Sequence, residues 1–286
     1  MKNAVMFLVL SLAYSLAFSL QPPQQSNYYG KDFYNTVVTH AKDVELKTAL
    51  KLILKSGHMK TVVGDEMTDT CLGKKDCYTQ NVLGYDGARK FLFGNFYLVK
   101  SADSVFGIKE KYCDRIYQGA DFQKGNGPGV GIVPDAAVIN TEHTWPQSKF
   151  TGKYNTEMQK SDLHHLFPTD SKMNSLRGNF TFGEVVGTPR PAKCEASRFG
   201  QASNSKANVF EPPADHKGHV ARALFYFSIR YDLPISQPEE EILKKWDQEH
   251  PIDEEEILRN EAIYKVQGNR NPFIDYPELV KNISDF

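Results

Sequence analysis

The sequence predicts an α+β protein in which helices flank a β-containing middle segment. Apolar residues recur at helical spacing in residues 31–60 and again after residue 208. Residues 62–135 are instead rich in glycine, aspartate and aromatic residues and contain short β-like runs. No linker, repeat or low-complexity stretch divides the chain after its first twenty residues. We therefore expect one α+β domain over residues 21–286.

The first twenty residues have the features of a secretory signal peptide. Lys2 is the only charged residue there, an apolar run extends from Ala4 to Leu10, and Ala17–Ser19 offers the small-x-small pattern of a cleavage site. A transmembrane anchor needs about 20 continuous apolar residues, and the polar segment Gln21–Gln25 ends the run too early. We predict a signal peptide over residues 1–20, a secreted or periplasmic mature chain, and no membrane anchor after cleavage.

The composition is that of a globular protein with nearly balanced charge. Apolar residues make up 40% and charged residues 24% of the chain, which excludes fibrous and largely disordered classes. The net charge of −1 excludes a strongly basic nucleic-acid binder. Acidic residues are concentrated in residues 239–261, so the rest of the mature chain is mildly basic. This distribution is compatible with a phosphate-bearing substrate.

Four cysteines are present, Cys71, Cys77, Cys113 and Cys194. An even number in an exported chain predicts two disulfides. Three connectivities are open; pairing Cys71 with Cys77 would close a tight loop and leave Cys113 and Cys194 to close a long one. A metal site is less well supported, because the sequence has no C-x2-C pair and no Cys/His cluster.

Local signals predict the elements in the first half of the chain. A helix is expected within residues 31–60, with Gly57 as its end, and Phe96–Val99 is β-like. The glycine-rich segment Gly125–Gly131 lacks Gly-Lys-Ser/Thr and a following helix, which indicates a loop and not a phosphate cradle. A β-like run, Ala136–Ile139, follows.

Three helices are predicted in the last third of the chain. The first follows Pro212–Pro213 and ends before Pro234, and the other two cover residues 238–250 and 253–266. His216 and His219 lie at helical spacing on the first. No acidic partner is near them in sequence, so we interpret them as surface or packing residues.

Residues 140–182 concentrate the chemically active side chains. Glu142 and His143 follow the β-like run directly. Neighbouring side chains on a strand point to opposite faces. Glu142 and His143 can therefore serve one site only if the chain bends or the strand ends here, and Pro146 is consistent with such an end. Leu163–Leu166, which contains His164 and His165, is predicted as a second strand.

A short helix is predicted after this second strand. Thr169 or Asp170 would serve as its N-cap, Ser171–Arg177 would form about two turns, and Gly178 would end it. Asn174 would then share one face with the last residue of the helix. A strand, strand, helix order of this kind makes a compact metal site geometrically feasible.

Spacing alone supports a metal-dependent hydrolase only weakly. An isolated histidine is usually structural, and H-E-x-x-H is absent. The adjacent His164 and His165 would diverge, which does not favour joint zinc ligation.

The motifs resemble those of the bacterial endonuclease I family, periplasmic and secreted nucleases with a ββα-metal (His-Me finger) active site. The resemblance rests on Glu142-His143-x-Trp-Pro, Asp162-Leu-His-His-Leu-x-Pro and Asn174-x-x-Arg177-x-Asn179-Phe, and extends to Glu211-Pro-Pro, Arg222-Ala-x-x-Tyr226-Phe, Trp246 and Asn269–Asp275. It covers roughly residues 85–286. It implies a mixed helical α+β domain around a ββα-metal core at about residues 136–182.

The resemblance also implies roles for individual residues. His143 corresponds to the general base, and Glu142 and Asn174 correspond to the protein ligands of one divalent cation, usually Mg²⁺, with Mn²⁺ or Ca²⁺ as alternatives. Imidazole suits proton transfer near neutral pH, and a hard cation prefers carboxylate and amide oxygens. Supporting or phosphate-binding roles fall to His165, Arg177 and Asn179.

The predicted loop between the two strands departs from some relatives, in which an arginine holds the cleaved phosphate. Residues 151–160 contain no arginine and only two lysines, Lys153 and Lys160. Either a lysine substitutes or the contact comes from elsewhere.

The resulting expectation is a metal-dependent, sequence-non-specific endonuclease that cleaves DNA and RNA and leaves 5′-phosphate ends. Its partners are nucleic acids, bound through phosphate contacts that carry affinity without base discrimination; protein partners are not indicated. One alternative is a secreted phosphodiesterase for small substrates. A second is a non-enzymatic envelope binding protein with a structural histidine cluster.

Overall fold

The structure, a computed structural model, describes residues 27–187 and 194–286. The predicted signal peptide lies outside the described residues. The helices are α1 Asp43–Lys55, α2 Gly84–Phe91, α3 Thr156–Ser161, α4 Ser171–Arg177, α5 Ala214–Tyr231, α6 Gln237–Glu249, α7 Glu254–Gln267 and α8 Pro272–Asp275. No helix in the described ranges combines the length and apolarity needed to cross a bilayer.

The strands are short and pair antiparallel in small sheets. They are β1 Gly57–Met59, β2 Glu66–Thr68, β3 Cys77–Tyr78, β4 Leu98–Lys100, β5 Phe106–Lys109, β6 Ile116–Gln118, β7 Ile139–His143, β8 Leu166–Asp170, β9 Arg198–Gln201 and β10 Asn208–Glu211. The sheet orders are β2-β1-β3, β4-β5-β6, β7-β8 and β10-β9. Helices and small sheets together confirm the predicted α+β class.

Helix α5 is the centre of the main hydrophobic core. It is buried on almost every side, as expected of a helix that packs against other elements all round. Phe225 stacks on Phe286 near the end of the chain at 4.2 Å between ring centres, and Phe227 packs against His165 at 4.2 Å. The same helix therefore supports both the C-terminal segment and the histidine-rich region.

The first predicted helix is shorter than its apolar periodicity suggested. A π-helical turn covers Tyr34–Val38, the chain then turns, and α1 begins only at Asp43. Asp43 has a positive φ of 45°, and its carboxylate accepts a hydrogen bond from the Ser284 backbone N–H at 2.7 Å. Gly57 ends the helical segment as predicted and begins β1.

The glycine-rich segment Gly125–Gly131 forms a loop, as predicted. The Gly131 N–H donates to the Gly94 carbonyl at 2.9 Å. A Cβ atom on Gly94 would lie 2.6 Å from the Gly131 backbone, so the two segments approach closely only because Gly94 has no side chain.

The predicted second strand at Leu163–Leu166 is wrong. Leu163–His165 form a 3-10 turn, because the Asp162 carboxylate accepts from the His164 backbone N–H at 3.1 Å and caps that turn. The strand begins at Leu166 and runs through Pro168. The β-like run before Glu142 is also displaced, since residues 136–138 form a turn and β7 begins at Ile139.

The two predicted disulfides are confirmed. Cys71 pairs with Cys77, and Cys113 pairs with Cys194. The second bridge lies beside Tyr112, whose backbone carbonyl accepts a hydrogen bond from the Ser197 hydroxyl at 2.7 Å. It links the segment after β5 to the segment before β9.

The three C-terminal helices agree with the prediction to within about two residues, and of the two alternatives for the histidines on α5 the structure confirms packing and not a surface position. His216 is fully buried, and His219 is 4% exposed, so neither lies on the surface. His219 has an acidic partner after all: its Nε2 lies 2.8 Å from the carboxylate of Asp253, the N-cap of α7. The partner lies 34 residues away in sequence, beyond the reach of local patterns.

Candidate active site

Strands β7 and β8 and helix α4 position the candidate site. The strands pair antiparallel, with Glu142 opposite Phe167 and His143 opposite Leu166. Asp170 ends β8 and caps α4 by accepting from two backbone N–H groups of its first turn. Gly178 ends α4 with a positive φ of 53°. The helix therefore begins where β8 stops and packs against β7.

A polar cleft of about 280 Å³ opens at the end of β7. It is lined by Thr141, Glu142, His143, Pro146, Gln147, Ser148, Asn174, Arg177, Gly178 and Asn179. Glu142 and His143 both reach it because the strand ends at His143 and the chain turns away at Pro146. The cleft thus brings together the predicted base and both predicted cation ligands.

The hydrogen bonds of His143 determine which ring nitrogen is basic. Its Nε2 lies 3.0 Å from the backbone carbonyl oxygen of Lys160. A carbonyl only accepts hydrogen bonds, so Nε2 carries the hydrogen and Nδ1 keeps a lone pair. Nδ1 lies 3.3 Å from the side-chain amide of Gln147, another cleft residue. The unprotonated nitrogen therefore faces the cleft.

The environment of His143 keeps its imidazole neutral. Burial is the main cause, the neighbouring His165 and the positive charges of Lys160 and Arg177 add to it, and together they lower the pKa of His143 to about 3. The hydrogen bond to the Lys160 carbonyl opposes the shift only in part. The imidazole is therefore unprotonated near pH 7, the form that a general base requires, although a pKa this low makes it a weaker base than free imidazole.

Glu142 is a buried carboxylate held by an arginine. It is 1% exposed, and one of its oxygens accepts from Nη1 of Arg177 at 2.6 Å. Burial raises the pKa of the Glu142 carboxyl, and the Arg177 charge opposes that shift. A cation near the cleft would further favour the ionised form.

The side-chain amide of Asn174 has a fixed orientation. Its Nδ2 donates to Oδ1 of Asn140 at 2.8 Å and to the backbone carbonyl of Thr141 at 3.1 Å. Since a carbonyl accepts, the nitrogen must face β7. The amide oxygen is left without a hydrogen-bond partner among the described residues and is available to a ligand in the cleft.

The donor set fits a hard divalent cation. Glu142 offers a carboxylate oxygen and Asn174 an amide oxygen at one polar cleft, and such oxygens suit Mg²⁺, Mn²⁺ or Ca²⁺. The cleft has no cysteine and its histidine nitrogen is not paired with another imidazole in the lining, so the set does not suit zinc.

The three predicted supporting residues differ in their surroundings. Arg177 is 2% exposed and also donates to the backbone carbonyls of His143 at 2.8 Å and Thr144 at 2.5 Å. His165 packs against His143 at 5.4 Å between ring centres, and its Nε2 lies 2.8 Å from the Gln159 carbonyl. Asn179 lies exposed at the mouth of the cleft, 3.5 Å from the Ser148 hydroxyl. Arg177 therefore has little freedom to reach a phosphate.

Lys153 and Lys160, the two lysines of residues 151–160, are not equivalent. Lys153 forms an ion pair with Asp232 at 2.7 Å, together with Lys51 and Lys55 of α1. Lys160 instead lies at the end of α3, and its backbone carbonyl holds His143. Only the second lysine is next to the candidate base.

Sequence reasoning missed three contributors to the site. Gln147 contacts His143, Asn140 orients Asn174, and Lys160 contributes through its backbone. Asn140 could have been predicted from the sequence, because it lies two residues before Glu142 and so shares the same face of the strand. The role of the Lys160 backbone carbonyl could not be predicted, since every residue carries a carbonyl.

Known proteins place the chain in a family. The Endonuclease I family model matches residues 44–278. An extracellular ribonuclease of Bacillus subtilis (strain 168) is 37% identical over 163 residues, which cover 50% of this chain and 53% of that protein. An extracellular deoxyribonuclease of Aeromonas hydrophila is 35% identical over 118 residues, 41% of this chain and 49% of that protein. A periplasmic deoxyribonuclease of Aeromonas hydrophila is 32% identical over 117 residues, 41% of this chain and 48% of that protein.

These alignments span about half the length of the curated relatives. The family match is broader, since it covers most of the chain and includes every residue of the cleft. The chain therefore belongs to the Endonuclease I family.

Proposed function

We propose that this protein is a metal-dependent endonuclease that hydrolyses phosphodiester bonds of DNA and RNA without sequence specificity. The observation that carries the proposal is the orientation of His143. Its Nε2 is bonded to a backbone carbonyl, and its unprotonated Nδ1 faces the cleft that Glu142 and Asn174 also line. A base and two oxygen ligands at one polar cleft are what phosphodiester hydrolysis requires.

His143 acts as the general base of the proposed reaction. Its Nδ1 takes a proton from a water molecule as that water attacks phosphorus. The bond from phosphorus to the 3′-oxygen then breaks, the 3′-oxygen takes a proton from solvent, and the phosphate stays on the 5′ side; His143 afterwards releases its proton to solvent. The Lys160 carbonyl stabilises the imidazolium that forms, since it accepts the Nε2 hydrogen throughout.

Glu142 and Asn174 would hold the divalent cation, with Mg²⁺ as the proposed ion. When bound, it would neutralise charge on the phosphate and help the departing 3′-oxygen. Arg177 keeps the Glu142 carboxylate in place through its 2.6 Å contact. Asn140 keeps the Asn174 oxygen directed away from β7.

The substrate assignment follows from the relatives and from the cleft. Relatives with 35–37% identity are named as a ribonuclease and as a deoxyribonuclease. The cleft is lined mainly by polar side chains, which suit contacts to phosphate and sugar, and these groups are the same in every sequence. We therefore propose action on both nucleic acids.

We also propose that the protein works outside the cytoplasm. Two disulfides support this, because such bonds persist in oxidising compartments. Relatives named extracellular and periplasmic support it as well.

The test is cleavage of supercoiled plasmid and of total RNA by the purified mature chain, with Mg²⁺ and with EDTA. We expect Mg²⁺-dependent digestion of both, products with 5′-phosphates that a ligase can join, and a loss of about 10²–10⁴-fold in His143→Ala. Thermal unfolding of the variant should change little. Cleavage of bis-p-nitrophenyl phosphate but not plasmid would favour a small-molecule phosphodiesterase, and no cleavage by folded protein would favour a binding protein.

A further inference from the structure

A lysine and a tyrosine outside the cleft lie beside His143. The Nζ atom of Lys160 is 4.4 Å from the centre of the Tyr85 ring. That ring is 5.6 Å from the imidazole of His143, centre to centre. Tyr85 belongs to α2 and Lys160 to α3, so these two helices meet next to the proposed base.

Lys160 is half-buried, but its charge is not neutralised. No carboxylate in residues 27–187 or 194–286 forms an ion pair with it, whereas Lys153 in the same loop is paired with Asp232 at 2.7 Å. An aromatic ring attracts an ammonium group through its π electrons yet carries no net charge. Tyr85 therefore fixes the ammonium in place and leaves its full charge available.

A second cation contacts the Tyr85 ring. The guanidinium of Arg89 lies 4.8 Å from the same ring. Arg89 and Lys90 share a single carboxylate, Asp86, each at 3.0 Å. Lys160 and Arg89 thus place two cationic groups against one ring next to His143, and among the described residues only Arg89 of the two has a carboxylate partner, which favours an anionic ligand.

We propose that Lys160, positioned by Tyr85, binds a backbone phosphate of the nucleotide next to the cleaved bond. This inference rests on the proposed function and adds a substrate subsite to it. Neither residue lines the cleft, and the contact of Lys160 with the imidazole is made by its backbone carbonyl at Nε2, not at the nitrogen that meets the attacking water. The phosphate they contact is therefore a neighbour of the one that is hydrolysed.

The test measures binding separately from cleavage. His143→Ala is used as the background so that the probe stays intact, and EDTA is present. A short fluorescent single-stranded DNA is titrated by anisotropy over a series of NaCl concentrations. Each lost phosphate contact lowers the slope of log Kd against log salt by about 0.7 for single strands. We expect Lys160→Met to lower the slope by about this amount and to weaken binding severalfold at low salt.

Matched variants distinguish the effect of the lysine charge, of the tyrosine ring and of the position of the lysine in the loop. Lys160→Arg should retain the slope, because it retains a cation over the ring. Tyr85→Phe should also retain it, whereas Tyr85→Leu should weaken binding, because the ammonium loses its support. Lys153→Met is the control: it removes a lysine from the same loop that is already paired with Asp232, so the slope should stay unchanged.

An unchanged slope in Lys160→Met, with normal thermal unfolding, would overturn the subsite. So would an equal change in Lys153→Met, because the effect would then reflect net charge alone. Both results are independent of the proposed activity, which would fail only if the chain with His143 intact cleaves neither DNA nor RNA.

Discussion

Asn140 accepts a hydrogen bond from the side-chain amide of Asn174 at 2.8 Å and so determines which end of that amide faces the cleft. The two residues are 34 positions apart and belong to β7 and α4. The backbone carbonyl of Thr141 accepts the second amide hydrogen. Two residues of β7 thereby orient Asn174, a predicted cation ligand that belongs to α4.

Asn140→Leu should weaken binding of the divalent cation without abolishing catalysis. The Asn174 amide would lose one of its two acceptors and could rotate, and loss of a group that orients a ligand typically costs 10–100-fold in metal affinity. The measurement is plasmid cleavage over a range of Mg²⁺ concentrations. High Mg²⁺ should restore Asn140→Leu but not His143→Ala; equal Mg²⁺ dependence in Asn140→Leu and the unmodified chain would contradict the orienting role.

Arg177→Met should destabilise the fold strongly. Arg177 and Glu142 are both at most 2% exposed, and removing one partner leaves a buried carboxylate unpaired. Such a loss costs about 3–5 kcal/mol, which urea unfolding would measure. The double variant Arg177→Met with Glu142→Leu should be less destabilised than Arg177→Met alone. If the double variant is the less stable of the two, the ion pair is not the source of the effect.

The two disulfides should contribute unequally to stability. Cys113 and Cys194 are 81 residues apart, whereas Cys71 and Cys77 are 6 apart. Loop closure predicts about 4.5 kcal/mol for the long bridge and about 2 kcal/mol for the short one. Urea unfolding of each paired Cys→Ala variant tests this, and a larger cost for the short bridge would contradict the loop-closure explanation.

The helices after Pro213 could be predicted because each has local signals for its ends. Prolines bound α5, and Asp253 caps α7. The turn at Leu163–His165 could not, because it depends on Asp162, a buried carboxylate whose other partners include Tyr226 and Gln267, 64 and 105 residues away. The cap from Asp162 to His164 is local, but long-range hydrogen bonds from Tyr226 and Gln267 hold the carboxylate where it can make that cap.

In the candidate site, too, some features could be predicted from local sequence and others depend on distant residues. The side chains that line the cleft could be named from their motif, since carboxylate, amide and imidazole have evident chemistry. Which lysine lies next to His143 could not, because Lys153 and Lys160 are alike in sequence. The difference is made by Asp232, 79 residues after Lys153, which pairs with Lys153 and two lysines of α1.

The contact between His219 and Asp253 predicts a specific pH dependence. Partial burial opposes ionisation of Asp253, but the hydrogen bond from His219 and the N–H of Glu256 outweigh it and lower the pKa of the Asp253 carboxyl to about 2. An unfolded aspartate has a pKa of about 3.9. A depressed pKa stabilises the fold above the unfolded value, and that contribution is lost as pH falls from about 4 to 2.

Asp253→Asn keeps a side-chain oxygen to cap α7 but cannot ionise. The unmodified chain should therefore be the more stable of the two above pH 4, and the difference should shrink towards zero near pH 2. Because the Asp253 side chain is 48% exposed, solvent screening limits the difference to about 1 kcal/mol or less. Urea unfolding at several pH values measures it; a difference that is constant from pH 2 to 7 would assign the effect to the cap and not to the charge.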